Sequence, residues 1–145
     1  MPTVIEVVCS VSQEEAVRAT VGAFGRETGN LLIGRRVYRE THQVLLVVEL
    51  MHAASASKLT TLLSHARQQE VIASFRYVTY DLVKISFDPS VNLQEQMGDF
   101  PLRPGEWWFP AIHEPHQAYV CLSRSLMSAK QAAWLLSHNV KWAFV

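Results

Sequence analysis

The sequence predicts an α+β fold, an antiparallel sheet backed by helices. Three observations predict it. Short β-branched runs, Val4 to Val11 and Val44 to Met51 among them, alternate with amphipathic stretches. Serines positioned to cap helices stand at the starts of those stretches. Two segments also read as copies of each other. His42-Gln43 opens an apolar run followed by Leu62-Leu63-Ser64-His65, and His116-Gln117 opens another followed by Leu135-Leu136-Ser137-His138, with one gap aligning them.

Val4 to Val11 has only Glu6 as a charge and reads as a buried strand. Ser12 with Glu15 forms a capping-box pattern, Val17, Val21 and Phe24 share one helical face, and Gly25 is a natural stop. Leu31 to Arg39 and Val44 to Met51 are the next strands. A second helix starts at Ser55 or Ser57 and buries Leu59, Leu62, Leu63 and Ala66. Residues 71–87 are β-rich throughout, with a bend expected near Asp81. This order, β-α-β-β-α-β over residues 3–87, matches the ferredoxin-like plait. Residues 88–115, punctuated by five prolines, read as a long ordered loop. A C-terminal strand–helix–strand over 116–145 is expected to join the same sheet and complete a single domain of residues 1–145. In its helix Ser128 pairs with Gln131 as a capping box, and Ala129, Ala132, Ala133 and Leu136 form the expected buried stripe.

Composition narrows the function classes. Hydrophobic residues make up 49% of the 145, enough for a real core. Thirteen basic residues balance thirteen acidic ones, so the basic excess of a phosphate-tracking protein is missing. No apolar run is long enough for a bilayer span, and Met1-Pro2-Thr3 is no signal peptide, so a cytoplasmic location is expected. Cys9 and Cys121 are then free thiols and small core residues.

Six histidines are the first candidates for chemistry. His42 and His116 each precede a strand in the copied context. The arrangement resembles the two-histidine phosphoesterases, where each half carries His, any residue, then Thr or Ser on a strand. That resemblance implies His42 and His116 as general acid and base on a phosphodiester. Here the segments read His42-Gln43-Val44 and His116-Gln117-Ala118, without the hydroxyl that orients the phosphate. His113-Glu114-Pro115-His116 offers two metal ligands, His113 and His116, but a site needs further ones from Cys121, His42 or a carboxylate. No metal and no cofactor is expected. His65 and His138 fall in the last turns of helices, where a cation is favoured by the dipole.

Arg103-Pro104-Gly105-Glu106-Trp107-Trp108-Phe109-Pro110 carries three adjacent aromatics, which cannot all enter one core. Trp and Arg are common interface anchors, so Arg103, Trp107, Trp108 and Phe109 are candidate binding residues, the alternative being a lid over the sheet with its aromatics packed inward. Arg35 and Arg36 are further candidates for an acidic partner, or guards of a strand edge. Phe75 and Tyr77 resemble the aromatic platform of RNA-recognition domains, without the consensus glycines or basic surround. No phosphate loop, nucleophile elbow, Cys-x-x-Cys or His-Glu-x-x-His is present. The expectation is a non-enzymatic regulatory or binding module that contacts a protein partner through the aromatic loop and a sheet edge. A homodimer is the expected assembly. The alternatives are a phosphodiesterase or nucleotide-binding protein using His42 and His116, and a single-stranded RNA or DNA binder using the strand aromatics. No membrane association is expected.

Overall fold

The computed structural model describes residues 3–28, 30–50, 55–78, 81–112 and 114–145. The chain divides into two compact units, Met1–Val78 and Thr79–Val145. The first runs β1 (Thr3–Ser10), a 3-10 turn (Val11–Gln13), α1 (Glu14–Thr28), β2 (Asn30–Tyr38), β3 (Gln43–Leu50), α2 (Ala56–Gln68) and β4 (Ser74–Tyr77). Its antiparallel sheet has the order β2-β3-β1-β4. This is a ferredoxin-like plait. Alternation sends Ile5, Val7 and Cys9 of β1 and Val44, Leu46 and Val48 of β3 to one face. There they pack with Val17 and Val21 of α1 and Leu59 and Leu63 of α2.

The second unit repeats the element order in fewer residues. It comprises β5 (Asp81–Ser86), α3 (Leu93–Gly98), β6 (Trp107–Pro110), β7 (Gln117–Leu122), α4 (Ala129–Ser137) and β8 (Lys141–Phe144). The sheet order is β6-β7-β5-β8, again antiparallel. Val83, Ile85, Ala118, Val120 and Leu122 pack under Leu93, Met97, Trp134 and Leu135. The Trp134 ring meets Phe87 and Phe100 edge-on and stacks on His138 at 3.9 Å. All four tryptophans of the chain belong to this unit.

Several expectations are corrected. The strands at 117–122 and 141–144 do not join the first sheet, because both pair with β5. The β-rich run 71–87 is two strands, β4 and β5, each in a different sheet. Thr79 and Tyr80, near the expected bend, lie outside the described residues. The 88–115 stretch holds α3 and β6. Asn92 caps α3 by accepting the Glu95 amide at 3.1 Å. Helix α1 passes Gly25 and continues to Thr28, since one helical glycine costs only about 1 kcal/mol. The Ser12 hydroxyl, in the 3-10 turn that precedes α1, pairs with that of Ser10 at the end of β1 at 3.0 Å, and not with a capping partner at Glu15.

Helix α4 keeps its capping box: Gln131 N–H donates to Ser128 Oγ, and Ser128 N–H to Gln131 Oε1. Its buried stripe, however, is Gln131, Trp134 and Leu135, while Ala129, Ala132, Ala133 and Leu136 are exposed. Four small or aliphatic residues carry too little area to outcompete one indole for the core. No described helix is long and apolar enough to cross a membrane.

Candidate functional site

Residues of the predicted aromatic loop are built from a tight turn. Glu106 N–H donates to Arg103 O at 3.0 Å, closing the turn Arg103-Pro104-Gly105-Glu106. Proline suits the second position, and Gly105 has φ +83°, a left-handed value at the third. Gly105→Ala is therefore expected to cost about 1–2 kcal/mol, read as a lowered urea midpoint. An unchanged midpoint would show that the turn tolerates a side chain there.

The turn delivers Glu106 to the interior, where its side chain is fully buried. One carboxylate oxygen accepts from Arg103 N–H at 2.8 Å and Gln131 Nε2 at 2.8 Å. The other accepts from Arg103 Nε at 3.0 Å, Ser123 N–H at 2.8 Å and Ser123 Oγ at 3.1 Å. Arg103 Nη2 lies 2.9 Å from it, an ion pair without hydrogen-bond alignment. Burial pushes the carboxyl up, but the donors of Arg103, Ser123 and Gln131 together outweigh it and hold the group at about 2. Gln131, fully buried, also donates to Pro101 O at 2.9 Å. One carboxylate thus ties the turn, the end of β7 and the start of α4 together. Sequence reading quoted Glu106 without assigning it a role. The local signal it carries is a charged residue directly after Pro104-Gly105.

The predicted binding residues divide by what they touch. Arg103 is committed to Glu106. Phe109 is 1% exposed and stacks on Tyr119 at 5.4 Å. Trp107, 5.0 Å from Phe109, and Trp108, packed on the core, are half-buried on β6. Arg35 makes a two-pronged bond to Glu14, Nε at 2.7 Å and Nη2 at 2.6 Å, which lowers the Glu14 carboxyl. Arg36 is exposed, its guanidinium 5.4 Å from the Tyr38 ring centre.

His42 and His116 occupy matching positions in their own units, the turn residue before the third strand. His42, at φ +53°, accepts the Val11 amide at 2.9 Å on its backbone carbonyl, and His116 accepts that of Phe87 at 2.8 Å. Beside His116, Asp88 accepts from Ser90 Oγ and N–H; these bonds, with a smaller contribution from His116, hold its carboxyl low. His113 and His52 lie outside the described residues. Among the described residues no group of three or more His, Cys, Asp or Glu is placed to hold a metal ion. His138 Nδ1 sits 2.8 Å from Trp134 O, as a helix-end cap.

Phe75 and Tyr77 face the helices. They sit opposite core residues Val7 and Ile5, Phe75 packs on that core, and the Tyr77 hydroxyl bonds Thr60 and Ala56 of α2. Neither ring is displayed on the helix-free face of the sheet, where a stacking platform for bases would stand. Cys9 and Cys121 are buried; burial, then Glu14, pushes the Cys9 thiol up.

Sequence reading missed β8 as a surface. All four residues of Lys141-Trp142-Ala143-Phe144 are exposed, Trp142 by 43% and Phe144 by 47%. Their rings meet edge-on at 5.9 Å. The apolar spacing of Trp142 and Phe144 marks a strand that joins the sheet and does not by itself mark an exposed edge.

No family model matches the chain, and no curated protein sequence matches it. Among solved structures, one chain provisionally named a glycine cleavage system transcriptional repressor aligns at 13% identity and TM-score 0.39, covering 99% of this chain and 95% of that one. A chain from Lactobacillus acidophilus NCFM, provisionally named a monooxygenase, aligns at 12% identity and TM-score 0.31, covering 99% and 91%.

Proposed function

We propose that this chain is a non-enzymatic binding or regulatory module that acts through protein contacts at the edges of its second sheet. The observation that carries the reading is the exposure of Trp142 and Phe144 on β8. Sheet edges invite pairing, and proteins guard them. Edge strand β2 has a register break between Leu32 and Gly34, followed by Arg35 and Arg36. Edge strand β4 carries Arg76, paired with Glu6, and β6 ends in Pro110. Edge strand β8 has Lys141 alone at its start and two large aromatics after it.

The partner we commit to is a second copy. Trp142 and Phe144 flank Ala143 symmetrically, so an antiparallel pairing centred on Ala143 sets each Trp142 opposite Phe144 of the partner subunit. Each such pair contributes about 0.5–1.5 kcal/mol beyond its buried area. Trp107 and Trp108, half-buried on β6, form a second contact region in this reading.

Sedimentation at high concentration tests it. The wild-type chain should give the dimer mass, and Trp142→Lys the monomer mass with unchanged circular dichroism. A wild-type monomer, or a dimeric Trp142→Lys protein, would remove the reading.

We also propose that the chain is a duplicated plait. The shared element order, the shared sheet order and the His-Gln pair opening β3 and β7 support this.

A further inference from the structure

We propose that the crevice between α1 and α2 in the first unit is a binding site for a small neutral molecule, a single aromatic ring or branched alkyl group bearing one hydrogen-bonding substituent. The crevice holds about 150 Å³. A dry apolar cavity of that size accommodates one benzene-sized guest. Its floor is Val21 of α1, Leu63 of α2 and Ile72 beyond α2, each 2–3% exposed. Such a floor rewards apolar contact and offers no hydrogen bond to water.

The rim is polar, and this sets the rest of the ligand. Thr20, His65 and Gln69 are exposed at the mouth. Thr20 donates its hydroxyl hydrogen to Ala16 O at 2.9 Å, leaving its oxygen as an acceptor. The His65 ring and the Gln69 carboxamide have no hydrogen-bond partner among the described residues, so both can donate or accept. The lining contains no carboxylate, lysine or arginine. A charged guest would lose its hydration over an apolar floor with no opposite charge to replace it. A neutral head loses less and can bond His65 or Gln69. Phenol is the smallest probe with all the required parts. The inference is separate from the sheet-edge reading, since none of its residues lies on β6 or β8.

Titration of phenol into isotope-labelled full-length protein, followed by amide chemical shifts, tests it. Saturable shifts are expected to cluster in residues 17–21 and 62–72. Benzoate and benzylamine, of similar size but charged, should bind at least about tenfold more weakly. Ala66→Leu, which adds a good helix former to the lining, should fill the space and weaken phenol binding by about tenfold or more. Val21→Phe serves as an independent filling variant, should Ala66→Leu fail to fold. Gln69→Ala with His65→Ala should weaken phenol several-fold with the fold intact. The inference is overturned by absence of saturable shifts in the crevice, by benzoate or benzylamine binding as tightly as phenol, or by undiminished phenol binding in a folded filling variant.

Discussion

Replacing Glu106 with alanine is expected to cost about 3–5 kcal/mol, with the urea unfolding midpoint falling accordingly. The carboxylate is fully buried and accepts from Arg103, Ser123 and Gln131. Deleting it strands a largely buried guanidinium and the fully buried Gln131 amide together. The same group gives the second unit a pH signature. Its carboxyl is depressed from 4.5 to about 2, so the folded state binds its proton more weakly than the unfolded chain does. The stabilisation is complete above the ordinary value and is lost as pH falls toward about 2. Its size is on the order of 3 kcal/mol. Glu106→Gln lacks this titration. The stability gap between wild type and Glu106→Gln should therefore narrow as the solution is acidified from about pH 5 to about pH 2. A gap that stays constant over that range would show that folding does not depress the carboxyl, and a widening gap would show that the folded protein holds it protonated.

Leu63→Ala is expected to cost about 2–5 kcal/mol, and Leu136→Ala less than about 0.5 kcal/mol. Both are the second leucine of a Leu-Leu-Ser-His sequence. Leu63 is 2% exposed in the core under α2, while Leu136 is 85% exposed on α4. The buried leucine of α4 is Leu135, one residue earlier. One residue is about 100° of helix, enough to turn a side chain from core to solvent. Hydrogen exchange of the amides in β1, β3 and α2 would register the loss in Leu63→Ala. Equal effects of the two substitutions would mean that the helices present the same face.

The first plait was legible because its elements are long. The strands from Thr3 and Gln43 run eight residues each, and α1 and α2 run fifteen and thirteen, enough for a period to declare itself. In the second unit β6 and β8 have four residues and α3 has six. Such lengths complete two turns of either period at most. β5 was hidden differently, following β4 so closely that the two read as one strand. With β5 read into the first sheet, the later strands have nowhere to pair except alongside it.

The candidate site was less legible than the fold. Side-chain chemistry named Arg103 and Arg35 as available cations, yet each is held by a carboxylate, Glu106 or Glu14. The Arg35 and Glu14 pairing spans 21 residues and no local pattern encodes it, whereas Arg103 and Glu106 are three residues apart and meet through the Pro104-Gly105 turn. The exposure of Trp142 follows from β8 having a neighbour on one side only. Strand composition says that a segment pairs; the order of strands decides which is outermost.

Because Trp107, Trp108, Trp134 and Trp142 all fall within Thr79–Val145, indole emission is a native spectroscopic label for half of the chain. Ellipticity in the far ultraviolet, by contrast, sums over both halves. One denaturation series recorded both ways therefore measures how strongly the melting of each half is tied to that of the other, with no dye or engineered probe.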